Sequence, residues 1–284
     1  MSLLRKKMQD RMALRGFAPK TEQAYTHWIV DLAKFHHKSP DRLGDEDLKQ
    51  FMLHLVSERR LAAESCRQAI HAIRFFYAEV LDREISKITL PIIKKPQKIP
   101  ELLNQREVRD ILSCCDNLKY RTMMMLCYGT GVRRSEVVAL RLADIDSDRQ
   151  QLRVEQSKGR KDRYVLLGPS LLHQLRCYWQ SYRPFDFLFC GRTLNQPITA
   201  SSLNKMYSKA KGKAGITKRG NIHALRHAFA THSLEAGMPL AQLQQLMGHG
   251  YITTTLRYVH WLPRYQEHPG ACIDLITQMG EQHA

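Results

Sequence analysis

The chain has 284 residues, 43% of them hydrophobic, which is enough for one large globular domain or two ordinary ones with a buried core. Its 44 Lys and Arg against 27 Asp and Glu give a formal charge of +17, and both residues 1–100 and residues 101–284 are basic. This charge favours a long polyanionic partner over a protein that is basic for other reasons. No apolar run approaches the ~20 residues of a membrane-spanning helix, and we expect no signal peptide because the N-terminus is too polar.

Residues 1–90 predict a domain of four helices. Apolar residues recur at helical spacing from Leu3 to Leu14, and Pro19-Lys20-Thr21-Glu22 opens a second helix. Asp45-Glu46-Asp47 indicates the start of a third helix, where carboxylates interact favourably with the helix dipole. A fourth helix is expected from about Ala63 to Val80. Four basic residues of this domain are candidates for DNA contacts, although a solvated helix face explains any one of them equally well: Lys20, Arg60, Arg67 and Arg74.

A linker is expected between this domain and the next. Residues 88–100 contain three prolines and three lysines, and proline interrupts helices and sheets alike. We place the linker at residues 91–100, where Lys94 and Lys95 can follow a phosphate backbone. A second domain would then occupy residues 101–284.

The second domain is predicted to be mostly helical. Its first helix is expected at about Asn104–Cys115, because Asn104 and Glu107 have the spacing of a capping box. An apolar helix at Arg121–Tyr128 is expected to break at the turn Gly129-Thr130-Gly131, and a helix should resume at Arg133. Further helices are expected near residues 169–182, 199–213, 221–236 and 239–247.

One β-hairpin interrupts these helices. Gln151–Gln156 and Arg163–Leu167 predict its strands, and the tip between them is basic and contains a glycine. A flexible cation at this tip, such as Lys158, can reach the minor groove and protonate a leaving oxygen. Spacing alone leaves the choice among the neighbouring cations open: Lys158, Arg160, Lys161 and Arg163.

Metal binding and disulfide bonding are not expected. The cysteines show no Cys-x-x-Cys spacing, which favours reduced thiols in a cytoplasmic protein over a disulfide framework or a zinc site. His223 and His227 also make a weak metal motif, since no glutamate base accompanies them. We accordingly expect no metal and no cofactor.

A histidine and two arginines are candidates for binding a phosphate. His223 and Arg226 are three residues apart on one helix face, so both can contact the same phosphate. Arg133 follows a Gly-Thr-Gly turn that would point it into a cleft, and Glu136 can fix its guanidinium or a neighbouring histidine. The alternative for His223 and Arg226 is a polar helix surface. The alternative for Arg133 and Glu136 is an exposed ion pair worth under ~1 kcal/mol.

The stretch Gly248–Tyr258 ends in a candidate nucleophile. A phenol with its ordinary pKa near ~10 is a poor nucleophile. Beside two arginines and a polarised phosphate, however, Tyr258 can attack phosphorus and form a phosphotyrosine bond. Tyr251 is a competitor seven residues earlier, and packing in a core is the alternative for an isolated tyrosine.

Five motifs follow one another along the chain: Gly-Thr-Gly-x-Arg-x-Ser-Glu, a hairpin lysine, His-x-Leu-Arg-His, Gly-His, and Thr-Thr-x-x-x-Tyr. Together they resemble the tyrosine recombinase (phage integrase) family. Residues 1–90 are similar to its helical core-binding domain, and Thr21–Ile29 resembles the start of that domain in integron integrases. The resemblance implies Glu136 as a supporting residue and the following catalytic residues: Arg133, Lys158, His223, Arg226, His249 and Tyr258.

The resemblance also implies a fold, an activity and partners. The fold would be mainly α, with a four-helix core-binding domain and an α-rich catalytic domain that contains a small antiparallel sheet. The activity would be site-specific DNA recombination through a 3′-phosphotyrosine intermediate, for the integration or transposition of a mobile element. The implied partners are double-stranded DNA with inverted-repeat core sites and other copies of the chain in a synaptic tetramer. A C-terminal helix at about residues 270–282 would dock on a neighbour.

The implied location is the cytoplasm, at the bacterial nucleoid, with no membrane partner. Other activities remain open at this point: an Xer-like dimer resolvase, a type IB topoisomerase, or a catalytically silent DNA-binding regulator.

Overall fold

The computed structural model describes residues 3–83, 101–155, 162–191, 193 and 196–261. The chain divides into two compact units, Met1–Lys98 and Ile99–Ala284. Three predicted features lie outside the described residues: the linker at 91–100, most of the hairpin tip, and the C-terminal helix at 270–282. None of the described helices is both long and apolar enough to cross a bilayer.

The described part of the first unit is a bundle of four α-helices, which confirms the predicted fold. The helices are α1 (Leu3–Leu14), α2 (Pro19–His36), α3 (Asp45–Leu53) and α4 (Ala63–Phe75). Buried side chains from all four fill its centre, including Met12, Leu32, Phe51 and Ile73. Of the apolar residues that recur along α1, Met8 and Met12 are buried, whereas Leu3 and Leu14 at the ends are exposed.

The second unit is mostly helical, as predicted. Its described helices are α5 (Gln105–Ser113), α6 (Leu118–Thr130), α7 (Arg134–Ala139), α8 (Pro169–Tyr182), α9 (Ala200–Lys213), α10 (His223–Glu235), α11 (Leu240–Met247) and α12 (Ile252–Val259). Asn104 and Glu107 cap α5 reciprocally, each accepting from the other's backbone N–H at 2.8 Å. The last of these helices, α12, carries Tyr258 and was not among the predicted helices.

A small antiparallel sheet accompanies the helices. Its strands lie in the order β1 (Ile145–Asp146), β2 (Gln151–Val154) and β3 (Arg163–Leu166). The predicted hairpin forms β2 and β3, in which Leu152 pairs with Val165 and both side chains are buried. The sequence did not predict β1, since two residues are too few for a recognisable period.

The predicted break at the Gly129-Thr130-Gly131 turn is confirmed, and it lies at the last residue of that turn. Helix α6 continues through Gly129 to Thr130, whose hydroxyl donates back to the carbonyl of Leu126 at 2.8 Å. The chain turns only at Gly131, which has a left-handed φ of 66°. This turn places Arg133 directly before α7.

A small apolar cluster lies beneath the C-terminal end of the described chain. It is formed by residues of α10, α11 and α12, which include Phe229, Leu234, Leu243, Met247 and Tyr258. The ring of Tyr258 is therefore part of a packed core and not of an exposed tail.

We expect Gly131→Ala to lower the free energy of unfolding of the second unit by more than ~2 kcal/mol. An alanine there would have a left-handed φ, and its Cβ would lie 2.3 Å from Cδ1 of Phe229. Gly212→Ala is the matched control, because this glycine lies in α9 with no atom within 4 Å of the added Cβ. It should stabilise the unit by ~0.5–1 kcal/mol. Urea unfolding measures both, and two changes of the same sign would contradict the role given to the Gly131 turn.

Candidate active site

The site is built on the C-terminal end of α11. Three successive main-chain carbonyls at this end each accept a hydrogen bond from a different arginine. The pairs are Arg163 Nε with Leu246 O (2.7 Å), Arg226 Nη2 with Met247 O (2.7 Å) and Arg133 Nη2 with Gly248 O (2.9 Å). The last carbonyls of a helix have no partner within the helix and form the negative end of its dipole, so they suit cationic donors.

The local backbone leaves these carbonyls free to accept. Gly248 ends α11 in a left-handed conformation with φ of 59°. In this conformation the N–H groups of Gly248 and His249 bond the carbonyls of Gln245 and Gln244, at 3.0 and 3.1 Å. The carbonyls of Gln244 and Gln245 are thus capped by main-chain N–H groups. The next three carbonyls along the chain remain for the arginines.

Glu136 joins two of the arginines. Its carboxylate accepts from the backbone N–H of Arg133 at 2.7 Å and from Arg133 Nη1 at 2.8 Å. It also accepts hydrogen bonds from both terminal nitrogens of Arg163, at 3.1 and 2.8 Å. Burial alone would raise the pKa of Glu136, but the hydrogen bonds and charge of Arg163, followed by those of Arg133, lower it to about 2. Glu136 is therefore a carboxylate that offsets part of the positive charge.

Arg226 is the most enclosed cation of the site, with 5% of its surface exposed. It donates to the carbonyls of Gly131 and Met247 and to Nε2 of His249, the last at 3.0 Å. Burial and then the charge of Arg133 lower the pKa of Arg226 to about 10, so it remains charged at neutral pH. A buried charge is stable only when it is paired or hydrogen-bonded, and these acceptors meet that need.

The tautomer of His249 follows from its partners. Because a guanidinium only donates, Nε2 of His249 is the acceptor for Arg226. The proton is then on Nδ1, which lies 2.9 Å from the hydroxyl of Thr255 and donates to it. The ring of His249 stacks on that of Tyr258, with the planes 4° apart and the centroids 6.2 Å apart.

Tyr258 lies in the last turn of α12 with 4% of its surface exposed. Its hydroxyl is 3.0 Å from Nδ1 of His227. The ring of Trp261 packs edge-on against both Tyr258 and His227. Burial raises the pKa of Tyr258, against the lowering effect of three arginines, which are Arg226, Arg257 and Arg133 in decreasing order. The phenol is thus held neutral beside positive charge.

The structure brings five of the six predicted catalytic residues together. His223 is half-buried at the start of α10, and burial, followed by the charges of Arg134, Arg226 and Arg133, lowers its pKa. The sixth residue, Lys158, lies outside the described residues. The five are Arg133, His223, Arg226, His249 and Tyr258.

The site opens onto a cleft with a volume of about 460 Å³. Arg133, His249, Gly250, Tyr251 and Thr254 line it. Tyr251 is 78% exposed, whereas Tyr258 lies on the inner side among the arginines and histidines. Within the described residues, no group of three His, Cys, Asp or Glu side chains has the geometry to hold a metal.

The candidate DNA-binding residues of the first unit lie on its surface. Lys20 is exposed at the start of α2, and Arg60 is exposed in the turn before α4. Arg67 and Arg74 are seven residues apart on α4, with Arg67 3.9 Å from Glu64. Lys94 and Lys95 lie outside the described residues.

Three side chains of the site were not predicted from the sequence. Arg163 was noted only as one of the hairpin cations, and His227 only as a weak metal ligand and as the last residue of the His-x-Leu-Arg-His motif. The spacing of His227, four residues after His223, was the available signal that it faces the same way. Thr255 had no signal beyond a run of three threonines.

The chain is similar to proteins of one family along most of its length. Residues 101–264 match the phage integrase family, and residues 4–87 match the N-terminal SAM-like domain of phage integrases. The integrase/recombinase y4qK of Sinorhizobium fredii is 41% identical over 260 residues, which cover 91% of this chain and 84% of that protein. The tyrosine recombinase XerA of Pyrococcus horikoshii is 32% identical over 254 residues, which cover 87% and 85%.

A solved structure shows the same fold. A lambda integrase (75–356) dimer bound to a COC′ core site matches with a TM-score of 0.72 and 19% identity, covering 88% of this chain and 92% of that one.

We expect Glu136→Gln to lower the free energy of unfolding of the second unit by about 3 kcal/mol at pH 7. The folded pKa of Glu136 is below the unfolded value, so its contribution is complete above pH ~4.5 and is lost as the pH falls toward 2. The difference between wild type and variant should therefore shrink between pH ~4.5 and ~2.

Urea unfolding followed by tryptophan fluorescence measures this difference. A Trp28→Phe background confines the signal to Trp179 and Trp261, in the second unit. Glu46→Gln, at an exposed residue of the first unit, is the control and should leave the curve unchanged. A difference that stays constant over this pH range would contradict the assignment.

Proposed function

The chain belongs to the phage integrase family, and on this premise we propose that it is a site-specific tyrosine recombinase that cuts DNA with Tyr258. The observation that carries the proposal is the position of the Tyr258 hydroxyl. Arg226 and Arg133 are close enough for their charges to act on this oxygen, and the ring of His249 stacks on that of Tyr258, so a phenol oxygen and the cations that would bind a phosphate are already together.

The arginines suit a phosphodiester. Arg133 and Arg226 each donate some of their N–H groups to main-chain carbonyls or to Glu136. A guanidinium has five N–H donors, so each arginine has others left for a phosphate. The remaining donors of these arginines, with an N–H of His223, stabilise the charge that grows on the non-bridging oxygens at a pentacoordinate phosphorus. Removal of one such donor typically costs ~3–4 kcal/mol of transition-state stabilisation.

The covalent step conserves the energy of the broken strand. The Tyr258 oxygen forms a bond to phosphorus, and the bond from phosphorus to the 5′-oxygen breaks. Lys158 donates a proton to this 5′-oxygen, which leaves as a hydroxyl. Attack by the 5′-hydroxyl of a partner strand on the phosphotyrosine reverses these changes and reseals the DNA, so the step itself needs no nucleotide hydrolysis.

The partner in this proposal is duplex DNA with inverted-repeat core sites. The overall charge of +17 supplies a general attraction to phosphates. Lys20, Arg60, Arg67 and Arg74 would contact the backbone from the first unit. Four copies would hold two duplexes, with residues 270–282 docking on a neighbouring copy, and the biological role would be the movement of a mobile element.

We expect Tyr258→Phe to abolish covalent adduct formation on a nicked suicide substrate while DNA affinity stays within about 2-fold of wild type. The variant keeps the buried ring but lacks the attacking oxygen. Denaturing gels detect the adduct, and mobility shifts at fixed salt measure binding.

Tyr251→Phe is the matched control for this experiment. Tyr251 lines the same cleft but is exposed, so the variant should form adduct at the wild-type rate. An adduct with Tyr258→Phe that disappears in Tyr251→Phe would move the nucleophile to Tyr251. The absence of any adduct with wild type would favour a silent DNA-binding regulator.

Product analysis distinguishes recombination from relaxation. A recombinase should form Holliday junctions from two duplexes that carry its site. Relaxation of supercoiled DNA without junctions would instead favour a type IB topoisomerase. Resolution of tandem sites on a circular dimer, without insertion into new DNA, would favour an Xer-like resolvase.

A further inference from the structure

The hydroxyl of Tyr258 has a hydrogen-bond partner that the proposed reaction has not yet used. Nδ1 of His227 lies 3.0 Å from the Tyr258 oxygen, and the two rings are 5.7 Å apart between centroids. Trp261 packs edge-on against both rings and fixes their relative orientation. A nucleophilic phenol must lose its proton, and His227 is placed where that proton lies.

The neighbouring groups set the direction of this hydrogen bond. Arg226 faces the Tyr258 oxygen and lowers the pKa of the phenol through its charge and a hydrogen bond. Because a guanidinium only donates, it occupies a lone pair of that oxygen and leaves the O–H free to point to His227. His249 is placed differently, since its Nε2 accepts from Arg226 and its ring lies parallel to that of Tyr258.

We propose that His227 is the general base of the cleavage step. Nδ1 of His227 takes the phenolic proton as the Tyr258 oxygen bonds to phosphorus, while the departing 5′-oxygen takes a separate proton from Lys158. In the rejoining step, the imidazolium returns its proton to the tyrosine oxygen as the phosphorus–tyrosine bond breaks. This role rests on the proposed function of Tyr258 and adds a seventh residue to the predicted catalytic set.

The charges around His227 keep it ready to accept. Burial, followed by the charges of His223, Arg226 and Arg257, lowers the pKa of His227 to about 4, so its ring is neutral at neutral pH. These groups lie on its own helix and on α12, which packs against it. A phosphodiester bound between the arginines brings negative charge that offsets theirs, so the imidazole becomes more basic when DNA is in place.

The same helix provides an internal control. His232, also on α10, has its Nδ1 3.0 Å from the hydroxyl of Tyr128, with the ring centroids 5.8 Å apart. This second tyrosine–histidine pair has the same hydrogen-bond length, but its tyrosine is not the proposed nucleophile. A variant at His232 therefore reports what the loss of such a hydrogen bond does by itself.

The first experiment measures single-turnover cleavage of a nicked suicide substrate by the full-length protein. His227→Asn retains a side-chain acceptor near the Nδ1 position but is not basic. We expect its cleavage rate to fall by about 100-fold or more, with unchanged DNA affinity. His232→Asn should cleave within about 3-fold of wild type, and an equal loss in both variants would show a structural role and overturn the proposal.

The second experiment supplies a more acidic nucleophile. Fluorotyrosine at position 258 loses its proton more readily than tyrosine. It should therefore raise the cleavage rate of His227→Asn by at least about 10-fold. It should not accelerate the wild-type protein comparably. Failure of rescue in a variant that binds DNA normally would mean that His227 only positions the ring, and would overturn the proposal.

A third measurement separates the two proton transfers. A substrate with a 5′-bridging sulfur has a leaving group that needs no proton, so it should leave the His227→Asn defect in place. Recovery of the full rate on this substrate would assign His227 to the leaving group instead. If wild type forms no adduct, the proposed function fails; if wild type reacts and His227→Asn reacts equally fast, only this inference fails.

Discussion

The candidate active site depends on one constraint, which is that the end of α11 must accept hydrogen bonds from three arginines at once. Like charges repel, and Arg133, Arg163 and Arg226 would not gather without compensation. The carbonyls of successive residues and the carboxylate of Glu136 supply it. Each acceptor also fixes a direction, because the donors of a guanidinium are rigid and planar. The same contacts therefore stabilise the cluster and orient the groups that would meet a phosphate.

The proposed nucleophile, Tyr258, lies in a different kind of environment. Tyr258 is packed into an apolar cluster with Leu243 and Met247, so its ring position is determined by the same helix that anchors the arginines. Its oxygen alone faces the polar side, between Arg226 and His227. Burial opposes ionisation of the phenol, and the nearby cations favour it. A neutral phenol that is deprotonated only as it attacks fits this balance better than a phenolate that exists beforehand.

Much of the fold could be predicted, because apolar periodicity and helix caps depend on the identity of side chains. The described α-helices other than α12, the capping box at Asn104 and the β2–β3 hairpin followed from such patterns. The break at the Gly129-Thr130-Gly131 turn was also predicted, but its exact residue was not: Thr130 bonds back into the helix, so the chain turns at Gly131.

The candidate site was less accessible from the sequence. The order of Arg133, Arg226 and Tyr258 along the chain pointed to a phosphate, and the contact of Arg133 with Glu136 was predicted. The main-chain carbonyls that accept from both arginines were not, because a carbonyl is common to every residue type. Arg163 is a second case. Spacing grouped it with the hairpin cations, whereas its bidentate contact with Glu136 depends on tertiary packing that brings β3 beside α7. For His227, sequence spacing indicated a shared helix face, and only the packing of α12 shows that this face meets a phenol.

The use of main-chain acceptors bears on which substitutions the pocket tolerates. Replacing Leu246 or Met247 by another helix-compatible residue keeps the main-chain carbonyl that accepts from an arginine. Such substitutions therefore leave these hydrogen bonds in place. A change in backbone conformation would disrupt these hydrogen bonds instead. An example is a residue at position 248 that does not readily adopt the left-handed φ of 59° found at Gly248. The main-chain acceptors of the three arginines therefore cannot be removed by a side-chain substitution, unlike the carboxylate of Glu136.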